Sequence, residues 1–250
     1  MNDPVFPCAP KNTPFVILCY PRTGSYLLVD MLNQFPEIVC HGEIFNEKFV
    51  ELSPKAKEQV GYSLEERNQD PFGYIRKIFS LDEDKHTGFK LFPSHCKRVF
   101  EWAKTSTLIK RIALIRAPFE VYVSLQRAKA TGVWVDKWGK ATKEAPKLRF
   151  DPEEFDGMIR HIRNHNENLQ QLAESDTAST MMIRYNQVTQ LESLQKIAQF
   201  IGTPLKPDKF QIRLHRQTTE LYSELFENFD ELLAHAQSKY PKLWIDPKRC

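Results

Sequence analysis

With 250 residues, 41% of them hydrophobic and 12% aromatic, the chain has material for a sizeable core, and no Gly/Ser-rich linker divides it, so it reads as one domain over 1–250. Its net charge of +3 comes from basic residues spread among acidic ones rather than gathered on one face, which argues against a nucleic-acid partner. Five scattered cysteines without a Cys-x-x-Cys pair, no secretory leader and no apolar run of bilayer length point to a soluble chain in a reducing cytoplasm with no transmembrane segment.

In chain order, residues 1–14 read as an N-terminal tail. The apolar run Phe15–Tyr20 then predicts a buried strand, and Leu27, Leu28, Met31, Leu32 and Phe35 mark one face of a helix over Tyr26–Phe35. Further strands are expected at Ile38–Cys40, Thr87–Leu91, Arg111–Ile115 and Met181–Arg184. Helical patterns fall near His95–Lys104, Phe119–Ala130, Asp156–Glu174, Leu191–Ile201 and Thr219–Ala236. Residues 46–86 are polar and read as irregular helix and loop, and 131–150, with two glycines and many lysines, as an exposed, mobile insertion. Strands alternating with helices predict an α/β fold: a three-layer, P-loop-like domain with a central parallel sheet flanked by helices.

Between the first strand and its helix stand Arg22, Thr23, Gly24, Ser25 and Tyr26. A tight turn opening a helix presents unpaired backbone N–H groups and the positive end of the helix dipole to one point, where a phosphate or sulfate sits well. Arg22 adds charge, and the hydroxyls of Thr23 and Ser25 add donors. The turn lacks the second glycine and the lysine of a Walker A loop, and it lacks Gly-x-Gly-x-x-Gly; a plain strand-to-helix turn is the alternative. About ninety residues on, Arg116 closes a strand, Pro118 suits the first turn of a helix, and Ser124 follows on that helix. A guanidinium and a serine hydroxyl can share a phosphate; otherwise Arg116 pairs with a carboxylate and Ser124 packs.

Together these stretches resemble the sulfotransferases. Arg22-Thr23-Gly24-Ser25 is similar to their 5′-phosphosulfate loop, and Arg116 with Ser124 to their 3′-phosphate site. His41-Gly42-Glu43-Ile44-Phe45, Gly88-Phe89-Lys90-Leu91, residues 125–134, Arg184-Tyr185 and Arg216-Gln217 resemble the bacterial trehalose- and lipopolysaccharide-type group in particular. The resemblance runs from about residue 15 to 230 with its blocks in the family's order. It implies a PAPS-dependent sulfotransferase: 3′-phosphoadenosine-5′-phosphosulfate (PAPS) as co-substrate, 3′,5′-bisphosphoadenosine (PAP) as product, and a hydroxyl of a carbohydrate, glycolipid or other small molecule as acceptor.

It also implies a catalytic carboxylate at Glu43, as general base, with His41 competing for that role two residues away. Lys90 could reach the oxygen bridging phosphate and sulfate. Tyr185 could border adenine, and Arg216 with Gln217 could close over the 3′-phosphate. Asn186 stands where many relatives have an acidic residue, and 46–86 matches nothing in the family. Phe45, Trp134 and Trp138 could form a sugar-stacking wall. No metal is expected: His161 and His165 stand four apart without a third ligand, and His41-x-Glu43 lacks the Pro-Cys-x-x-Cys of zinc deaminases. A homodimer is left open. The rival functions are a P-loop-like kinase or nucleotide hydrolase, which needs a Walker lysine and a magnesium ligand, and a non-catalytic nucleotide-binding protein.

Overall fold

The five apolar runs become five strands, each within a residue of its expected ends: β1 (Phe15–Cys19), β2 (Ile38–His41), β3 (His86–Leu91), β4 (Lys110–Ile115) and β5 (Thr180–Arg184). These belong to a computed structural model that describes residues 12–135, 146–203, 210–214 and 220–243. All four pairings are parallel and the order is β2-β3-β1-β4-β5, so β1 lies centrally. Every residue of β1 is buried, as expected of a parallel strand covered on both faces. From β1 the chain moves out to β2, whereas from β4 it moves out to β5 on the other side. The turn after β1 therefore opens beside a topological switch point, where open parallel sheets bind ligands.

Alternate residues of β1 feed the two faces. Phe15, Ile17 and Cys19 pack with Leu28, Met31 and Leu32 of α1 (Ser25–Leu32) and with Leu194, Ile197 and Ile201 of α8 (Leu191–Ile201). Val16 and Leu18 pack with Tyr74, Ile75 and Ile78 of α4 (Pro71–Phe79) and with Val99 and Trp102 of α5 (Lys97–Thr105). The result is the expected α/β arrangement of a central parallel sheet flanked by helices.

The polar stretch 46–86 is more ordered than its composition suggests. It holds α2 (Pro54–Val60), α3 (Leu64–Gln69) and α4. Each start is capped by a short polar side chain: Ser53 accepts from the Ala56 amide, Ser63 forms a capping box with Glu66, and Asp70 accepts from the Gly73 amide.

Contacts divide the chain into two compact units where the composition reads as one domain. One unit comprises the described residues of Met1–Ile115 and Asn168–Gln211, with the sheet; the other comprises those of Arg116–Glu167 and Ile212–Cys250. The second has its own core, in which Phe119 and Tyr122 of α6 (Pro118–Thr131) meet Phe155 and Ile159 of α7 (Pro152–Ser175) and Tyr222, Phe226 and Leu232. The chain crosses between the units directly after β4, within α7 and again after Gln211.

One expected helix is corrected. The stretch Thr219–Ala236 contains two helices, α9 (Tyr222–Leu225) and α10 (Phe229–Lys239), separated at Phe226–Asn228. The backbone there pairs with Leu148: its amide donates to Leu225 O at 2.7 Å, and the Glu227 amide donates to Leu148 O at 2.9 Å. Asn228 adds side-chain bonds to both backbone groups of Phe150. Leu148 and Phe150, within the stretch read as an insertion, are thus buried, and Thr131 closes α6 with Gly132 as its C-cap. Residues 136–145, including Trp138, lie outside the described residues. So do residues 1–11 of the expected tail, whereas the Thr13 amide donates to His86 Nδ1.

Candidate active site

The turn after β1 contains the only non-glycine residue with positive φ among those described, Arg22 at 69°, followed by Gly24 at 89°. A bulky side chain in the left-handed region costs on the order of 1–3 kcal/mol and is tolerated where surrounding structure fixes it, commonly at binding sites. Gly24 is the N-cap of α1, and no side chain caps that helix end, so its first amides are left to an external acceptor. These features suit an anion. The Thr23 hydroxyl, read from sequence as a ligand donor, donates to Tyr20 O at 2.7 Å and closes the turn. Thr23 and Ser25 are buried, and their hydroxyls neighbour the Cys19 thiol, whose pKa burial pushes up to about 12. The turn can therefore offer backbone amides and Arg22, but not the Thr23 proton.

Tyr185 lies against this turn. A Cβ on Gly24 would come 2.5 Å from its ring, so Gly24 is needed both for its φ and for the close approach of the tyrosine. Tyr185 opens a 3₁₀ turn directly after β5 and buttresses the loop from the side.

At the ends of β2 and β3 a charged cluster gathers. Glu43 follows β2, and Lys90, fully buried, lies in β3; Lys90 Nζ is 3.1 Å from Glu43 Oε1 and sits over the Tyr26 ring. Two partners absent from the sequence reading complete the shell. His95 Nε2 is 3.4 Å from Glu43 Oε2, and Asn46 Nδ2 donates to the same oxygen at 2.8 Å. Glu51 accepts the Glu43 amide at 2.9 Å and lies 3.9 Å from Lys90 Nζ. Gly42 makes that approach possible, since a Cβ there would fall 2.1 Å from the Glu51 carboxylate.

Burial alone would raise the Glu43 pKa. The hydrogen bond from His95, the charge of Lys90 and the amide of Asn46 overcome it and hold the carboxyl near about 2. Lys90 moves the other way, lowered by burial against the pull of Glu43 and Glu51. At neutral pH the cluster therefore carries an ionised carboxylate in a nearly water-free setting. His41, the rival base, ends β2, and its Nε2 is buried without a hydrogen-bond partner. Burial lowers its pKa to about 4, so it is neutral at pH 7. The histidine that meets Glu43 is His95.

The segment carrying Glu43 is fixed from below. Arg67 of α3, almost fully buried, donates through one nitrogen to Ile44 O at 3.0 Å and Asn46 O at 2.9 Å. Charge-assisted bonds to two carbonyls so close to Glu43 restrain its backbone.

In the second unit, Arg116 Nε donates to Glu120 Oε2 at 2.9 Å, with both side chains largely buried, and Asn166 donates to Arg116 O. Arg116 thus does pair with a carboxylate, the alternative weighed from sequence. Glu120 and Ser124 stand four apart on α6 and so share a face of that helix. Arg216 and Gln217 lie outside the described residues. Among the described residues no group of three or more His, Cys, Asp or Glu side chains is placed to hold a metal ion. No helix among them is long and apolar enough to cross a membrane.

A parallel sheet, a helix start without a side-chain cap beside its switch point and a lysine–carboxylate pair at the adjoining strand ends form the candidate site. The fold matches that of the sulfotransferase domain from the Synechococcus PCC 7002 olefin synthase, with a TM-score of 0.51 at 18% identity over 96% of this chain and 92% of that one. In sequence, the chain is 27% identical over 241 residues to Nodulation protein H of Rhizobium tropici, covering 94% of each. It is 21% identical over 234 residues to Nodulation protein H of Rhizobium meliloti (strain 1021), covering 89% of this chain and 90% of that one. No protein-family model matches the chain.

Proposed function

We propose that the protein transfers a sulfuryl group from PAPS to the hydroxyl of a carbohydrate or glycolipid acceptor, with Glu43 as general base. The observation that carries this reading is the buried Lys90–Glu43 pair at the ends of β3 and β2, joined to the Arg22–Tyr26 turn by Tyr26 itself. Arg22 and the amides of the turn hold the 5′-phosphosulfate. Arg116 and Ser124, with Arg216 and Gln217, recognise the 3′-phosphate, and Tyr185 braces the loop.

In the reaction the acceptor oxygen attacks sulfur, its proton passes to a Glu43 carboxylate oxygen, and the sulfur–oxygen bond to the 5′-phosphate breaks to leave PAP. Charge builds on that leaving oxygen, and Lys90 is the cation at hand to meet it. Drawing Lys90 toward the leaving oxygen also loosens its hold on Glu43, so donor binding makes the base stronger when it is needed. Sulfuryl transfer moves less negative charge than phosphoryl transfer, so arginine, lysine and backbone donors serve in place of the magnesium that phosphoryl transfer uses.

The sequence blocks resemble those of the bacterial trehalose- and lipopolysaccharide-type enzymes, which favours a carbohydrate acceptor. Phe45, a candidate for the sugar wall, is buried against Tyr74 and Phe89, whereas Trp134 is exposed and suited to stacking. The test is transfer of labelled sulfate from PAPS to a panel of sugars, glycolipids and small hydroxylated metabolites. The reading expects PAP release that depends on an acceptor from the carbohydrate set. PAP release with none of the sugars, but with another hydroxyl class, would reassign the acceptor.

A further inference from the structure

Glu43 meets a histidine that lies outside every block of the family resemblance. The short turn Phe92-Pro93-Ser94-His95 leaves β3 and folds back on itself: the His95 amide donates to Phe92 O at 3.1 Å, and the Phe92 amide donates to His95 Nδ1 at 3.4 Å. The imidazole rests on the Phe92 ring, with centroids 4.5 Å apart, and its side chain is 6% exposed. Nδ1 accepts a backbone N–H, so it carries no proton; the ring proton is on Nε2, the nitrogen that faces Glu43 Oε2 at 3.4 Å. The local turn thus selects the tautomer, and the tautomer determines what the ring can do. It can donate to the carboxylate but cannot take a proton while Nδ1 stays engaged.

Resting on the reading of Glu43 as base, we propose that His95 is a positioning residue, locked by its own backbone turn as the Nε2–H tautomer, which orients the Glu43 carboxylate toward the acceptor hydroxyl. As the hydroxyl proton moves to Glu43 and the new oxygen–sulfur bond forms, His95 keeps its proton and only steadies the carboxylate. The other groups facing Glu43 are Lys90 from β3, Asn46, Glu51, Tyr26 of α1 and the Cys19 thiol of β1. His95, Lys90 and Asn46 all favour the ionised carboxylate, so loss of the His95 hydrogen bond raises the pH at which Glu43 titrates.

The experiment uses the whole protein with specifically labelled histidine and glutamate, in wild type, His95→Ala and His95→Gln. Nitrogen chemical shifts should show a pyridine-like Nδ1 and a protonated Nε2 for His95, and the Glu43 carboxyl carbon should titrate at higher pH in His95→Ala. His95→Gln, which can still donate from its amide, should move it back. An Nδ1–H tautomer, or an unmoved Glu43 titration in His95→Ala, overturns the proposal without any substrate being needed. In turnover of PAPS, His95→Ala should lower kcat about 10- to 100-fold, the weight of one hydrogen bond to a charged group, with little change in PAP binding. Its kcat should show an acidic limb displaced to higher pH than that of wild type. An equal loss without that displacement would mean a merely structural histidine. Failure of wild type to bind PAP would remove the sulfotransferase reading while leaving the tautomer result to stand by itself.

Discussion

Removing one member of the Lys90–Glu43 pair should cost far more than removing both. At 3.1 Å and an effective dielectric of about 20, the two charges attract by roughly 5 kcal/mol before desolvation is counted. Lys90 is fully buried and Glu43 nearly so, so solvent screens little of this. Lys90→Met should destabilise by about 3 kcal/mol, toward the low end for breaking a buried pair, because His95 and Asn46 still donate to the stranded carboxylate. Glu43→Gln should cost a similar amount or less, since Glu51 stays 3.9 Å from Lys90. The double variant should return to within about 1 kcal/mol of wild type, as replacements of whole buried pairs often do.

The assay is a double-mutant cycle from urea unfolding midpoints at neutral pH. The sign with pH is fixed. The Glu43 pKa is depressed on folding from 4.5 to about 2, so its contribution is present above pH 4.5 and fades as pH falls toward about 2. A coupling under about 0.5 kcal/mol at neutral pH, within the range of independent sites, would refute the buried pair as described.

Three further outcomes follow from the site. Glu43→Gln should retain PAP binding and lose roughly 10²- to 10⁴-fold in turnover, measured at saturating PAPS; near-normal turnover would remove Glu43 as the base. Arg116→Ala should weaken PAP about 10- to 100-fold and ADP, which lacks the 3′-phosphate, far less; equal losses by calorimetry would reject the 3′-phosphate assignment. Gly24→Ala combines a φ of 89° with a Cβ 2.5 Å from the Tyr185 ring, so donor binding should fall sharply while the unfolding free energy from urea titration drops by about 1–3 kcal/mol of strain. Unchanged PAP affinity in that variant would mean the turn does not hold the donor.

Much of the sheet could be read along the chain because parallel strands buried on both faces appear as continuous apolar runs, and each of the five is flanked by turn or helix signals. The turn over Arg22–Tyr26 is read as an anion site from parts that are all local in sequence. What escaped is tertiary. Glu51 reaches Glu43 through the space above Gly42, and His95 returns to it from a turn beyond β3; neither spacing forms a recognisable motif. Arg67 lies in the polar stretch read as irregular helix and loop, and its target, two carbonyls beside Glu43, leaves no mark in the sequence. The split helix over 219–236 shows the converse, a helical period overruled because Leu148, seventy-odd residues earlier, claims the backbone.

The identity of the donor is tested by the thermal stability of the full chain titrated with PAP, and separately with ATP and magnesium. A ligand bound only by the native state raises apparent stability in proportion to the logarithm of its concentration above Kd. The transition should rise with PAP, less so in Arg116→Ala, and respond little to ATP with magnesium. Stabilisation by ATP with magnesium and none by PAP would contradict PAPS as the donor.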